Sequence, residues 1–323
     1  MNNKIIHSII PTIAILFFTA IVGYNLISGD FVTQSLHNNG IVTVWVIPKI
    51  ENTTVGILLN GIVLLLIAIL ITFISSHFKI VKEKTLLPLL FFTVFQLLTP
   101  QLTGSFNSIH ITTLITFVLI VVLYTCYQNN KATEKSFLIA LILSATSLIE
   151  AHIIYLLPIL VIGLIQMQAS SLRTYAAMLI GLITPYWITW GLGMVELSQI
   201  DFGALAITPQ IPQPHLQLLP VLVVILIGFI TGIGNLYSAL NEKIHTRATN
   251  GFINLLSSYT AILLIVDNGN YMQYLPLLNA CVALQASYFF NTLTKRTTVI
   301  SFYALSILLI GWVSWIYWGN YPL

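Results

Sequence analysis

The chain has 323 residues, of which 57% are hydrophobic and only 7% charged, and its net charge is +3. A soluble domain carries about 25% charged residues, so too little polar surface is left here to cover a water-facing exterior, and an ordinary soluble enzyme is excluded. No Lys/Arg cluster is interleaved with aromatics, which gives no sign of a nucleic-acid partner. A lipid bilayer is the solvent this composition calls for.

A hydrocarbon core of about 30 Å takes about 20 helical residues to cross, and in lipid the backbone must satisfy its own hydrogen bonds, which makes the spans helices. In chain order the apolar runs are 5–27, 56–74, 86–99, 111–127, 137–149, 153–169, 175–193, 216–240, 252–266, 272–290 and 299–318. The first is too long for a signal peptide and lacks a small-x-small exit, so it reads as an uncleaved span. The runs 137–149 and 153–169 are nearly continuous and are divided only at Glu150, Ala151 and His152. Pro158, Pro185 and Pro276 are candidate kinks. Segments 28–54 and 194–215 are the longest polar connections, the second being irregular because of Pro209, Pro212 and Pro214.

Cytoplasmic loops collect Lys and Arg. Lys4, Lys79, Lys82, Lys84, Lys131, Lys135, Arg173, Lys243, Arg247, Lys295 and Arg296 share one side of this layout, with Lys49 alone on the other. Reading 137–169 as one helix would reverse every later loop and misplace Lys243, Arg247, Lys295 and Arg296, so the split at Glu150 is preferred. Asp30, Glu51, Glu150, Glu196, Asp201 and Asp267 then lie outside. So do the interfacial anchors Trp45, Trp187, Trp190, Trp312, Trp315 and Trp318. The expected architecture is an all-α polytopic transmembrane helical bundle, one domain over 1–323, of about eleven spans. Its N-terminus is cytoplasmic, its C-terminus lies outside, and it sits as a multi-pass protein in the cell inner membrane.

At about 1.5 Å per residue the third run reaches ~21 Å and the fifth about 20 Å. Starting at the inner interface set by Lys84 and Lys135, both stop below the outer headgroups and leave an outward-facing recess. Gln101, Ser105, Asn107, Ser108 and His110 lie at one rim, Glu150 and His152 at the other. An intramembrane carboxyl is a functional candidate by default, so Glu150 is the first catalytic candidate, with His152 or Asp30 as partner. The bland alternative is a solvated helical turn, and for Asp30 in Ser28-Gly29-Asp30 an ordinary helix-end residue. His37, His110, His152 and His215 also face outward, but no pair has metal-motif spacing, so a metal or other cofactor stays open. Asn60, Gln96, Asn235, Asn254, Asn279 and Gln285 read as interhelical hydrogen-bonding residues. The Asp267-Asn268-Gly269-Asn270 segment reads as a turn. Cys126 and Cys281 make no disulfide framework.

The run Lys84-Thr85-Leu86-Leu87-Pro88-Leu89-Leu90, followed by Leu98-Thr99-Pro100, resembles the third span of an uncharacterised bacterial polytopic family known only as a domain of unknown function. Ser136-Phe137-Leu138-Ile139-Ala140 leading to Ser147-Leu148, and Arg173 followed by Gly181-Leu182-Ile183-Thr184-Pro185-Tyr186, agree with it. After Ser-Leu that family has an aromatic-Pro segment where this chain has Glu150-Ala151-His152, so no role carries over there. The layout also resembles GT-C-type membrane glycosyltransferases. That resemblance implies an enzyme acting on a polyprenyl-phosphate lipid at the outer face, with Asp30 or Glu150 as base. Against it, a phosphate needs Lys, Arg, a metal or a helix N-terminus, and Lys49 is the one such side chain outside. The alternative expectation is a non-catalytic subunit held by a membrane-protein partner, or a small-molecule transporter.

Overall fold

A computed structural model describes residues 54–81, 85–103, 108–129, 132–193, 207, 219–240, 242–292 and 296–318. Among these there is no strand. The helices are α1 (Thr54–His77), α2 (Leu87–Leu97), the single turn α3 (Pro100–Thr103), α4 (Ser108–Tyr124) and α5 (Ala132–Ser147). A 3-10 helix (Ala151–Leu156) leads into α6 (Leu157–Gln166), and α7 (Leu172–Gly191), α8 (Leu219–Ala239) and α9 (Ile244–Val266) follow. A 3-10 turn (Asn268–Asn270), α10 (Tyr271–Thr292) and α11 (Arg296–Trp318) are the last among the described residues. Every apolar run predicted after residue 54 coincides with one of these helices. Three of them, Val55–His77, Leu219–Ala239 and Ile244–Val266, are long and apolar enough to cross a membrane.

Prolines set several boundaries. Pro88 and Pro158 stand in the first turn of α2 and α6, where their missing N–H is no loss. Pro158 therefore starts a helix rather than kinking one, whereas Pro185 and Pro276 lie inside α7 and α10. The fifth run begins earlier than its apolar residues suggest, at Ala132, because Thr133, Glu134 and Lys135 continue the helix into its polar end.

From Tyr274 to Tyr288 α10 is buried on all sides, as expected of a helix without a polar face. Around it α2, α8 and α9 pack closely. Phe91, Phe290 and Phe302 tie α2, α10 and α11 together, with ring centroids 5.3 to 5.9 Å apart. The most extensive helix pair is α5 with α7. It closes because a Cβ at Gly181 would lie 2.5 Å from the Phe137 carbonyl oxygen and 3.0 Å from the Ala140 Cβ. Ser136 donates to the Thr174 carbonyl at 3.0 Å, Ser144 donates to the Gly181 carbonyl at 3.3 Å, and Ser147 bonds Tyr186. The motif residues around Ser136 and Gly181 are thus one packing interface.

Most of the expected polar residues within the helices behave as interhelical fasteners, but Gln96 does not: both its side-chain amide atoms are buried with no hydrogen-bond partner among the described residues. Asn235 Nδ2 donates to the Gln285 carbonyl at 3.0 Å, Gln285 Nε2 to Asn254 Oδ1 at 3.0 Å, and Ser257 Oγ to Gln285 Oε1 at 3.2 Å. These bonds join α8, α9 and α10. Away from the core, α7 and α8 expose Leu179, Ile183, Trp187, Leu226, Phe229 and Ile230, apolar faces larger than water-soluble surfaces usually carry.

Candidate functional site

Helix α5 ends at Ser147, and at Glu150 the backbone is extended, with φ −137 and ψ 104. Six residues of 3-10 helix then carry the chain to Pro158. The irregular stretch buries its two ionisable side chains, Glu150 at 3% exposure and His152 at 2%, so it is no solvated turn. Ser108, the first residue of α4, donates its hydroxyl to Glu150 Oε2 at 3.0 Å. The two predicted rims are therefore in contact.

A third ionisable residue arrives from the end of α9. Asp267 is 1% exposed. Tyr274 Oη donates to its Oδ2 at 2.9 Å and Asn270 Nδ2 to its Oδ1 at 3.0 Å. His152 stands between the two acids, with Nδ1 3.4 Å from Glu150 Oε1 and Nε2 3.6 Å from Asp267 Oδ2. The rings of Tyr155 and Tyr274 flank it, with centroids 6.0 and 6.2 Å away. The Tyr155 carbonyl accepts from Tyr259 Oη at 2.5 Å, which anchors the 3-10 segment to α9.

Glu150 and His152 border a cavity of about 20 Å³, sufficient for a water-sized guest. Thr112, Thr113 and Thr116 of α4, Ile153 and Leu156 of the 3-10 helix, and Gln273, Tyr274 and Leu277 of α10 complete its wall. The cavity thus lies between α4, the α5–α6 break and α10. No residue of α2 or α5 lines this cavity. The α10 side chains reach in instead, since that helix runs through the middle of the bundle.

The charge balance is unusual. Two carboxylates and one imidazole are buried together, and the cavity wall holds no Lys or Arg. Only a protonated imidazole can donate from both nitrogens, and with both acids ionised one negative charge would still exceed the positive ones. Buried charge is costly unless paired. The two nitrogens of His152 face opposite acids and cannot converge with both on one metal ion. Among the described residues no three His, Cys, Asp or Glu side chains are placed to hold one.

Of the other sequence candidates, His110 is structural: its Nε2 lies 2.8 Å from the Leu102 carbonyl oxygen, which also accepts from Asn60 Nδ2 at 3.0 Å. Together they satisfy the short α3 turn. Asp30, His37, Lys49, Glu51, Glu196, Asp201 and His215 lie outside the described residues. Cys126 and Cys281 are free and buried. Asp267, Gln273 and Tyr274 were not legible as site residues, although charge parity already put Asp267 on the same side as Glu150.

No family model, curated protein or solved structure matches the chain. The site is accordingly read from its own geometry.

Proposed function

We propose that this chain is a multi-pass inner-membrane protein, N-terminus inside, that takes up and releases a proton at Glu150 near the outer face. The observation that carries this reading is His152, bracketed by two buried carboxylates at 3.4 and 3.6 Å while Glu150 Oε1 has no hydrogen-bond partner among the described residues. Glu150 is the exchanging group, and Asp267, held by Tyr274 and Asn270, orients the imidazole that supports it. A proton-coupled carrier, or a proton-conducting subunit of a membrane complex, is the form best supported. The cavity is water-sized, and no Lys or Arg lines it to hold a phosphate.

A second reading draws on the unpartnered oxygen of Glu150 and on the likeness to GT-C-type enzymes. Glu150 would take the proton of an acceptor hydroxyl as its oxygen attacks the anomeric carbon of a polyprenyl-phosphate sugar, and the polyprenyl phosphate would leave. Asp30 is the alternative base, and groups outside the cavity wall would hold the phosphate.

The experiment is proton flux into liposomes that contain the purified full chain and an entrapped pH dye, beside glycan profiles of cells complemented with Glu150→Gln or Asp30→Asn. Flux that falls about tenfold or more in Glu150→Gln, with unchanged glycans, supports the carrier. A glycan defect without flux supports the transferase, with a rate loss of about a hundredfold or more expected for a lost base. If Glu150→Gln changes neither, Glu150 is not the working group.

A further inference from the structure

The hydrogen-bonding character of the cavity wall names a ligand class. The hydroxyls of Thr112 and Thr113 donate to the Ile109 carbonyl at 2.8 and 2.9 Å, and that of Thr116 to the Thr112 carbonyl at 2.8 Å. Each hydroxyl proton is thereby spent on the helix, and what the threonines keep is lone pairs. Gln273 Oε1 and Glu150 Oε1 are buried and have no hydrogen-bond partner among the described residues. The two ring nitrogens of His152 are likewise without a hydrogen-bond partner among the described residues, and a neutral ring brings one N–H donor, so acceptors still outnumber donors around a water-sized space. His152 is the one lining residue able to carry positive charge, set against two acids.

Such a wall repels anions and leaves water short of donors, since water brings two where at least three acceptor groups wait. It suits a guest that is positive, about the size of water and rich in N–H donors. We infer that the cavity binds ammonium or the head of a small primary amine, its N–H groups donating to Glu150, Gln273 and the α4 threonines. Ile153, Leu156 and Leu277 provide the apolar side against which a methyl group packs. A buried excess negative charge is cancelled in the same step. The inference rests on reading this cavity as the working site, and it deepens that reading by naming what enters beside Glu150.

Potassium is the decisive control, because it matches ammonium in charge and nearly in size but has no N–H donors. Thermal unfolding of the purified full chain in nanodiscs is followed at neutral pH and constant ionic strength, with choline chloride replaced stepwise by ammonium, methylammonium, potassium or sodium chloride. Ammonium and methylammonium are expected to raise the midpoint saturably, as a ligand of the folded state must, and potassium and sodium are not. Thr116→Val, which keeps the shape and removes one acceptor, and Gln273→Leu should each raise the half-saturating concentration about five- to tenfold. Glu150→Gln should remove the response.

Equal responses to potassium and ammonium would overturn the donor assignment in favour of a bare cation site. No saturable response to any ion, or an ammonium response unchanged in all three variants, would overturn binding here altogether. Binding and proton flux are separate readouts, so failure of one is distinguishable from failure of the other.

Discussion

His152 Nε2 lies 3.6 Å from Asp267 Oδ2, so one buried ring ties the break after α5 to the end of α9. Asp267 already accepts from Tyr274 and Asn270, and this fixes the oxygen that His152 meets. Removing one partner of a buried pair costs about 3–5 kcal/mol, because the other is left uncompensated. Asp267→Ala and His152→Ala should each destabilise on that scale, and the double variant by clearly less than their sum. Denaturation in mixed micelles measures the cycle, and strict additivity would show that the two side chains do not interact.

Gly181 should tolerate no larger residue. A Cβ there meets the Phe137 carbonyl oxygen at 2.5 Å, and backbone cannot move aside as a side-chain tip can. Gly181→Val is expected to separate α5 from α7 and cost about 1–3 kcal/mol or more. Gly191 is the control: nothing lies within 4 Å of a Cβ there, and Gly191→Ala should leave the unfolding midpoint within a degree or two, roughly the effect of a surface change.

Gln285 bridges Asn254 and Ser257 through its side chain, while its backbone carbonyl accepts from Asn235. Gln285→Leu should cost about 0.6–1.7 kcal/mol, the range for interhelical hydrogen bonds in membranes. Replacing Asn254 by Leu as well should add less than it costs alone, since the first change has already broken their shared bond and only the 3.4 Å bond to the Gly232 carbonyl is left to lose. A second loss as large as the first, in the same denaturation assay, would refute the network.

The positive-inside orientation predicts which thiols a membrane-impermeant maleimide reaches. Cys126 and Cys281 are buried and should stay unlabelled in the folded protein. A cysteine at exposed Ser170, three residues before Arg173 in sequence, should react only after permeabilisation. Labelling of Ser170→Cys in intact cells would invert the topology and put Glu150 at the cytoplasmic face.

Much of this architecture is local in origin and could be read along the chain. Apolar runs separated by short polar breaks gave helices at each predicted place after residue 54. The split at Glu150 was legible because Glu150 and His152 interrupt an otherwise apolar stretch and because charge parity required a break there. Asn235, Asn254 and Gln285 were recognisable as fasteners because a polar side chain within an apolar helix has few other uses. That α2 is short was also foreseeable, although at 11 residues it is shorter than the run 86–99, whereas the start of α5 was not, since a hydropathy reading stops at Glu134 and Lys135 while a helix does not.

The site itself was half visible. Glu150 and His152 stood out as an acid and an imidazole inside an otherwise apolar stretch, and Ser108 and Asp267 were on the same predicted side. Nothing in their spacing says that Ser108 bonds Glu150, that Asp267 rather than another acid faces His152, or that α10 closes the cavity. Those contacts follow from how helices interlock. Gly181 against Phe137, Gly163 against Phe252 and Gly234 against Phe289 set how closely and at what angle neighbours pack. By itself the sequence determined the helices and their breaks, because hydropathy and proline act within a few residues. Only the tertiary structure decided that Glu150, His152 and Asp267 form one centre, because side-chain interlocking between distant helices sets which breaks come together.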